Sequence, residues 1–126
     1  MKEILIQEKT FLFAKNIISI FKILKSEREY IISKQLIRSG TSIGALIEET
    51  IGAESTKDFL HKISIAYKEA RETKYWLRLL LETDMINKEI GGQLLFDIEE
   101  ILRIIGSIQK TTKAKLEAEN IKKNQN

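Results

Sequence analysis

At 126 residues the chain has the length of one domain and can bury a core without covalent staples. It has no cysteine, which excludes disulfides and thiolate metal sites, and no proline, which leaves long helices uninterrupted. The formal net charge is +3, yet segment 109–126 alone carries five lysines against two glutamates, and the body before it has sixteen residues of each sign. Net charge therefore gives no warrant for nucleic-acid binding by the body; only a local patch can. No apolar run approaches the roughly 18 residues of a membrane span. The opening MKEILIQEKT lacks the apolar centre of a signal peptide. The expected setting is cytoplasmic, with no membrane partner.

Four segments repeat apolar residues at alternating steps of four and three, the signature of amphipathic helices. The first predicted helix covers about 3–24, with Phe11, Ala14, Ile18 and Phe21 on one stripe and Phe13, Ile17, Ile20 and Leu24 beside it. The second is expected to start at Ser26-Glu27-Arg28-Glu29, a capping-box pattern in which Ser26 caps Glu29. Its stripe is Ile32, Leu36, Gly40, Ile43, Ile47, Ile51, and Gly52 ends it. Ser39-Gly40-Thr41-Ser42 looks locally like a loop, but Gly40 lies on that stripe and Gly44 beside it. A phosphate-binding loop needs a lysine after its second glycine, and Ala45 follows Gly44. Two glycines inside a helix, each costing about 1 kcal/mol relative to alanine, point to close approach of another helix, or else of a ligand, at Gly40 and Gly44, with helix packing the favoured reading.

Ser55 is expected to cap the third helix, whose stripe runs Phe59, Ile63, Ala66, Ala70, Thr73, Leu77, Leu80. Asn87 is expected to cap the fourth, with Leu94, Ile98, Ile101, Ile105 and Ile108 inward. After Ile108 the pattern fades. The chain therefore divides into a bundle over 1–108 and, over 109–126, the end of helix four with a polar, lysine-rich tail. Short connections make neighbouring helices antiparallel, and the predicted fold is an all-α, up-down-up-down four-helix bundle.

The sequence offers little catalytic chemistry. His61 is the single histidine and points roughly 160° away from Phe59, taking about 100° per residue. The pairs Glu69/Glu72 and Asp97/Glu100 lie off the core stripes and do not converge. No enzyme activity, metal or cofactor is expected.

The surface of helix three is more informative. Lys57, His61, Ser64, Lys68, Arg71, Tyr75 and Arg78 recur at steps of four and three opposite its core stripe. Such a line of cations can follow a nucleic-acid backbone, with Tyr75 available to stack on a base. Beside it, Ile65, Trp76 and Leu79 fall on a face expected to be far from the core, with Glu69 and Glu72 placed to pair with a neighbouring subunit. A homo-oligomer using these five residues is the expectation.

The stretch QLIRSGTSIGALIEETIGAESTKDF, followed by KISIAYKEARETKYWLRLLLETDMI, resembles the bacterial four-helix-bundle family of proteins encoded in intervening sequences of large-subunit ribosomal RNA genes. It is more distantly similar to the accessory variability determinant of diversity-generating retroelements. The resemblance covers about 9–108. It rests on Arg38-Ser39-Gly40-Thr41-Ser42-Ile43-Gly44-Ala45, with Ile47, Glu49, Gly52, Ser55 and Phe59. The chain departs from the pattern at Leu46 and Ala53, where many members carry Asn and Arg. The resemblance implies a ring-like homopentamer, a nucleic-acid-binding role for RNA or DNA, and no catalysis. With the arginine absent at Ala53, Arg38 joins the helix-three cations as a candidate phosphate contact. The retroelement branch implies a reverse transcriptase as a possible partner. That supports the competing expectation of a protein–protein scaffold without nucleic acid.

Overall fold

The computed structural model describes residues 2–125, with side chains from Leu5 onward. Met1 and Asn126, the outer ends of the two sequence segments, lie outside them. Four helices follow in order: α1 (Lys2–Ser26), α2 (Ile32–Ile51), α3 (Thr56–Glu82) and α4 (Lys88–Asn124). Each packs on its neighbour in the chain, and α1 closes on α4 along a thinner seam. The result is the up-down-up-down all-α bundle. Its core is a column of Ile and Leu from all four helices, including Ile17, Leu36, Ile43, Ile63, Leu77, Ile98 and Ile105.

On α1 only one of the two apolar stripes is interior. Phe13, Ile17, Ile20 and Leu24 are buried, while Phe11 is 66% exposed and Ile18 39%. A helix at the corner of a bundle can turn only one face inward, and the other is left facing water.

The α1–α2 connection corrects the expected capping box. Ser26 ends α1, its hydroxyl donating to the Ile23 carbonyl at 2.6 Å. Arg28 takes the left-handed conformation (φ 65°), and the Glu29 N–H returns to the Leu24 carbonyl at 2.8 Å, a helix-ending motif. Glu29 itself then caps α2. Its carboxylate accepts from the backbone N–H groups of Ile31, Ile32 and Ser33 at 3.2, 3.0 and 2.7 Å. Burial pushes this carboxyl upward, but the three N–H donors outweigh it and hold the group below its ordinary value. Helix two thus begins five residues later than the Ser26 cap implied.

The other caps fall where the sequence puts them. Ser55 accepts from the Asp58 N–H at 3.0 Å, and Asn87 accepts from the Glu89 and Ile90 N–H groups at 2.8 and 3.2 Å. Beyond Ile108, where the apolar pattern fades, α4 continues to Asn124. Lys, Glu and Ala dominate this stretch and favour helix without a core to lean on. Thr112 is still buried, Leu116 is half-buried, and Thr56 donates to Glu119 at 2.7 Å, tying the overhang to the start of α3.

The segment that looked like a loop is the middle of α2, and its glycines face α1. A Cβ on Gly40 would meet two Ile17 side-chain carbons at 3.0 Å, and one on Gly44 would stand 3.3 Å from the Thr10 backbone carbonyl oxygen. Ile17 can shift slightly; the Thr10 carbonyl, locked in α1, cannot. On the other side of α2, the buried hydroxyls of Ser39 and Thr73 hydrogen-bond at 2.9 Å and fix the register against α3. Gly44→Leu is expected to cost about 1–3 kcal/mol through overpacking. A thermal melt reads it, and an unchanged melting temperature would sink the close-packing account.

Candidate nucleic-acid interface

Because Ala66, Ala70 and Leu77 turn inward, the opposite arc of α3 faces water. Lys57, His61, Lys68, Arg71, Tyr75 and Arg78 are all exposed on it, and Ser64 is half-buried. Arg78 lies 3.3 Å from Glu82, but both side chains are largely solvated and the pair is weak. Among the described residues no carboxylate comes within salt-bridge distance of Lys57, Lys68 or Arg71. Tyr75 is 58% exposed and meets Trp76 edge to face, with centroids 4.9 Å apart.

The seam with α4 extends this face. Arg103, Lys110 and Lys113 are exposed on α4, and Arg103 lines a shallow groove together with Arg71. Lys74 bridges to Glu99 at 3.5 Å, and Gln109 donates to Ser64 at 3.1 Å. Lys110 and Lys113 belong to the lysine-rich segment noted from sequence, but Arg103 was not singled out, since only the packing of α4 on α3 makes it a neighbour of Arg71. The sequence signal available was the spacing of Arg103 and Lys110, seven residues apart and so on one helix face.

Arg38 does not join this face. It lies on the α2 flank of α3, where its guanidinium reaches Glu69 at 3.2 Å and makes a tight pair with Glu72. Glu72 also accepts from the Trp76 indole N–H at 2.9 Å. The Trp76 hydrogen bond, against an upward pull from burial, combines with Arg38 to hold the Glu72 carboxyl below its ordinary value. The Glu72 hydrogen bond raises Arg38 in turn. A guanidinium held by two carboxylates is poorly available to phosphate.

The same cluster revises the expected subunit interface. Glu69 and Glu72 pair within the chain across α2–α3, and Trp76 is half-buried against the core rather than far from it. Ile65 and Leu79 are half-buried too. The large exposed apolar side chains sit mainly elsewhere, on α1 (Phe11, Leu12, Ile18, Ile23) and α4 (Ile90, Phe96).

Among the described residues no three His, Cys, Asp or Glu side chains are grouped to hold a metal ion, and no helix is long and apolar enough to cross a membrane. What these observations define is an all-α four-helix bundle whose conspicuous chemistry lies on its outer helix faces. The chain belongs to the 23S rRNA-intervening sequence protein family, whose family model matches residues 2–107. It is similar to the crystal structure of a protein of unknown function from the S23 ribosomal protein family of Bacteroides thetaiotaomicron. The identity is 43%, over 87% of this chain and 99% of that one, with a TM-score of 0.84. Among curated proteins none matches.

A pH experiment tests the α2–α3 cluster. Since the Glu72 pKa is lowered on folding, its contribution to stability is full above the ordinary carboxylate range and is lost as pH falls through the lowered value. Glu72→Gln is expected to melt lower than wild type at neutral pH, with the two curves converging in acid. Parallel curves down to low pH would remove the ion pair from the account.

Proposed function

We propose that the protein is a non-catalytic, homo-oligomeric bundle that binds nucleic acid, RNA in the first place, through the outer face of α3. The observation that carries this is the line Lys57, Lys68, Arg71, with Arg78 and the exposed ring of Tyr75, in which the first three cations have no carboxylate partner among the described residues. Membership of a family described by an rRNA intervening sequence supports RNA over DNA as the first ligand to try. Phosphate contacts displace condensed counterions, so affinity falls steeply with salt. The test is fluorescence anisotropy of a labelled structured RNA, titrated at several salt concentrations, beside Arg71→Glu/Arg78→Glu. For four phosphate contacts the slope of log affinity against log salt is expected near about −3, and the double variant is expected to lose most binding. Salt-independent binding, or a variant that binds as wild type, would remove the α3 face from the mechanism.

A second reading has its own observation. Phe11, Leu12, Ile18 and Ile23 expose apolar surface along α1, with Ile90 and Phe96 across on α4. Exposure of large apolar side chains in this number marks association. It supports assembly of subunits through α1, in the ring-like pentamer the family resemblance implies. It equally suits a scaffold that docks a protein such as a reverse transcriptase. Phe11→Ser/Leu12→Ser is expected to lower the native mass measured by light scattering while leaving the helical circular dichroism intact. An unchanged oligomer would place the interface off α1.

A further inference from the structure

The groove between α3 and α4 has a shape that the charge line alone does not convey. It is shallow and open to solvent, with a volume of about 500 Å³. Its floor lies at Leu102 and at Gly106, which has no side chain, and the ring of Tyr67 forms a wall 3.6 Å from where a Gly106 Cβ would stand. Arg71 from α3 and Arg103 from α4 line it from opposite sides, both exposed and neither paired with a carboxylate among the described residues. One carboxylate, Glu99, also lines the recess, but it is engaged by Lys74. The recess therefore keeps a positive balance. Cross-helix contacts bound it at both ends, Ser64–Gln109 on one side and Lys74–Glu99 on the other. Ser64 and Lys74 stand ten positions apart on α3, about 15 Å at 1.5 Å per residue.

We infer that this recess is a nucleotide subsite for single-stranded nucleic acid, with a backbone phosphate held between Arg71 and Arg103 and an unpaired base lying over Gly106 against Tyr67. The inference rests on the nucleic-acid function proposed above and narrows it to a ligand class. Two guanidiniums from facing helices suit a phosphate oxygen pair, because each presents a planar fork of donors. A base enters a recess between two packed helices only when it is not paired, and an aromatic wall gives it a stacking surface without sequence preference. Gly106 adds no side chain to the floor, where a Cβ would already touch the edge of the Tyr67 ring.

The test compares a labelled, unstructured RNA strand with its duplex, using wild type, Arg103→Glu, Gly106→Leu and Lys68→Glu/Arg78→Glu. Wild type is expected to bind the strand more tightly than the duplex. Gly106→Leu fills the recess without changing charge and is expected to weaken strand binding about tenfold, the effect of roughly one unstacked base. Arg103→Glu is expected to weaken it similarly and to flatten the salt slope by about 0.7 for each phosphate no longer neutralised. Arg103 is exposed, so its variant keeps the fold and carries the test if a melting curve shows Gly106→Leu unfolded. Strand binding unchanged in Arg103→Glu but abolished in Lys68→Glu/Arg78→Glu would overturn the subsite and leave the α3 face standing. A duplex bound as tightly as the strand would overturn the single-strand assignment. No binding of either probe by wild type would overturn the subsite and the function together.

Discussion

The whole bundle depends on how closely α1 and α2 approach. At Gly40 and Gly44 the surface of α2 is bare backbone, and α1 lies against it with Ile17 and the Thr10 carbonyl filling the space that side chains would take. That approach sets where α1 stands, and so which of its two apolar stripes turns inward. Phe13, Ile17, Ile20 and Leu24 follow as core, and Phe11 and Ile18 are left outside. The helix-propensity cost of two interior glycines is offset by close packing that a large side chain at either position would push apart.

On α3 the two flanks divide the charge. Toward α2, acids face a base: Glu69 and Glu72 hold Arg38, and the Trp76 indole N–H completes the hydrogen bonding of Glu72. Toward α4 and solvent, cations stand largely without acids. With six basic and four acidic residues, α3 thus presents a flank neutralised in part by Arg38 and a positive one. Net charge misses this, because it averages over directions. The neutralised flank holds the helix in register, and the positive flank is free to meet a ligand.

Much of the fold was legible because its determinants are local. Ser55 and Asn87 announce their helices, since a cap bonds N–H groups only two or three residues ahead. The α3 stripe is unambiguous because its small and apolar residues occupy one arc only. The Ser26–Glu29 pattern was misleading for a local reason as well. Glu29 is part of the cap, but it serves a later turn, made possible by left-handed Arg28. What sequence could not supply are the pairings across helices. Arg38 meets Glu69 and Glu72 over thirty-one and thirty-four residues. Arg103 approaches Arg71 only through the packing of α4 on α3. The choice between the two stripes of α1 likewise belongs to its neighbours, since both stripes are equally periodic.

The overhang of α4 has a consequence for its lysines. The last turn of a helix carries the negative end of the peptide dipoles, and Lys122 and Lys123 lie in that turn. Their charge is thus already answering a need of the helix itself. A polyanion that recruits these ammonium groups competes with the helix dipole for their charge and weakens the turn that presents them. Attraction at the tip and order at the tip therefore oppose one another, whereas cations set midway along a helix, such as Arg71 and Arg103, can engage an anion with no such penalty.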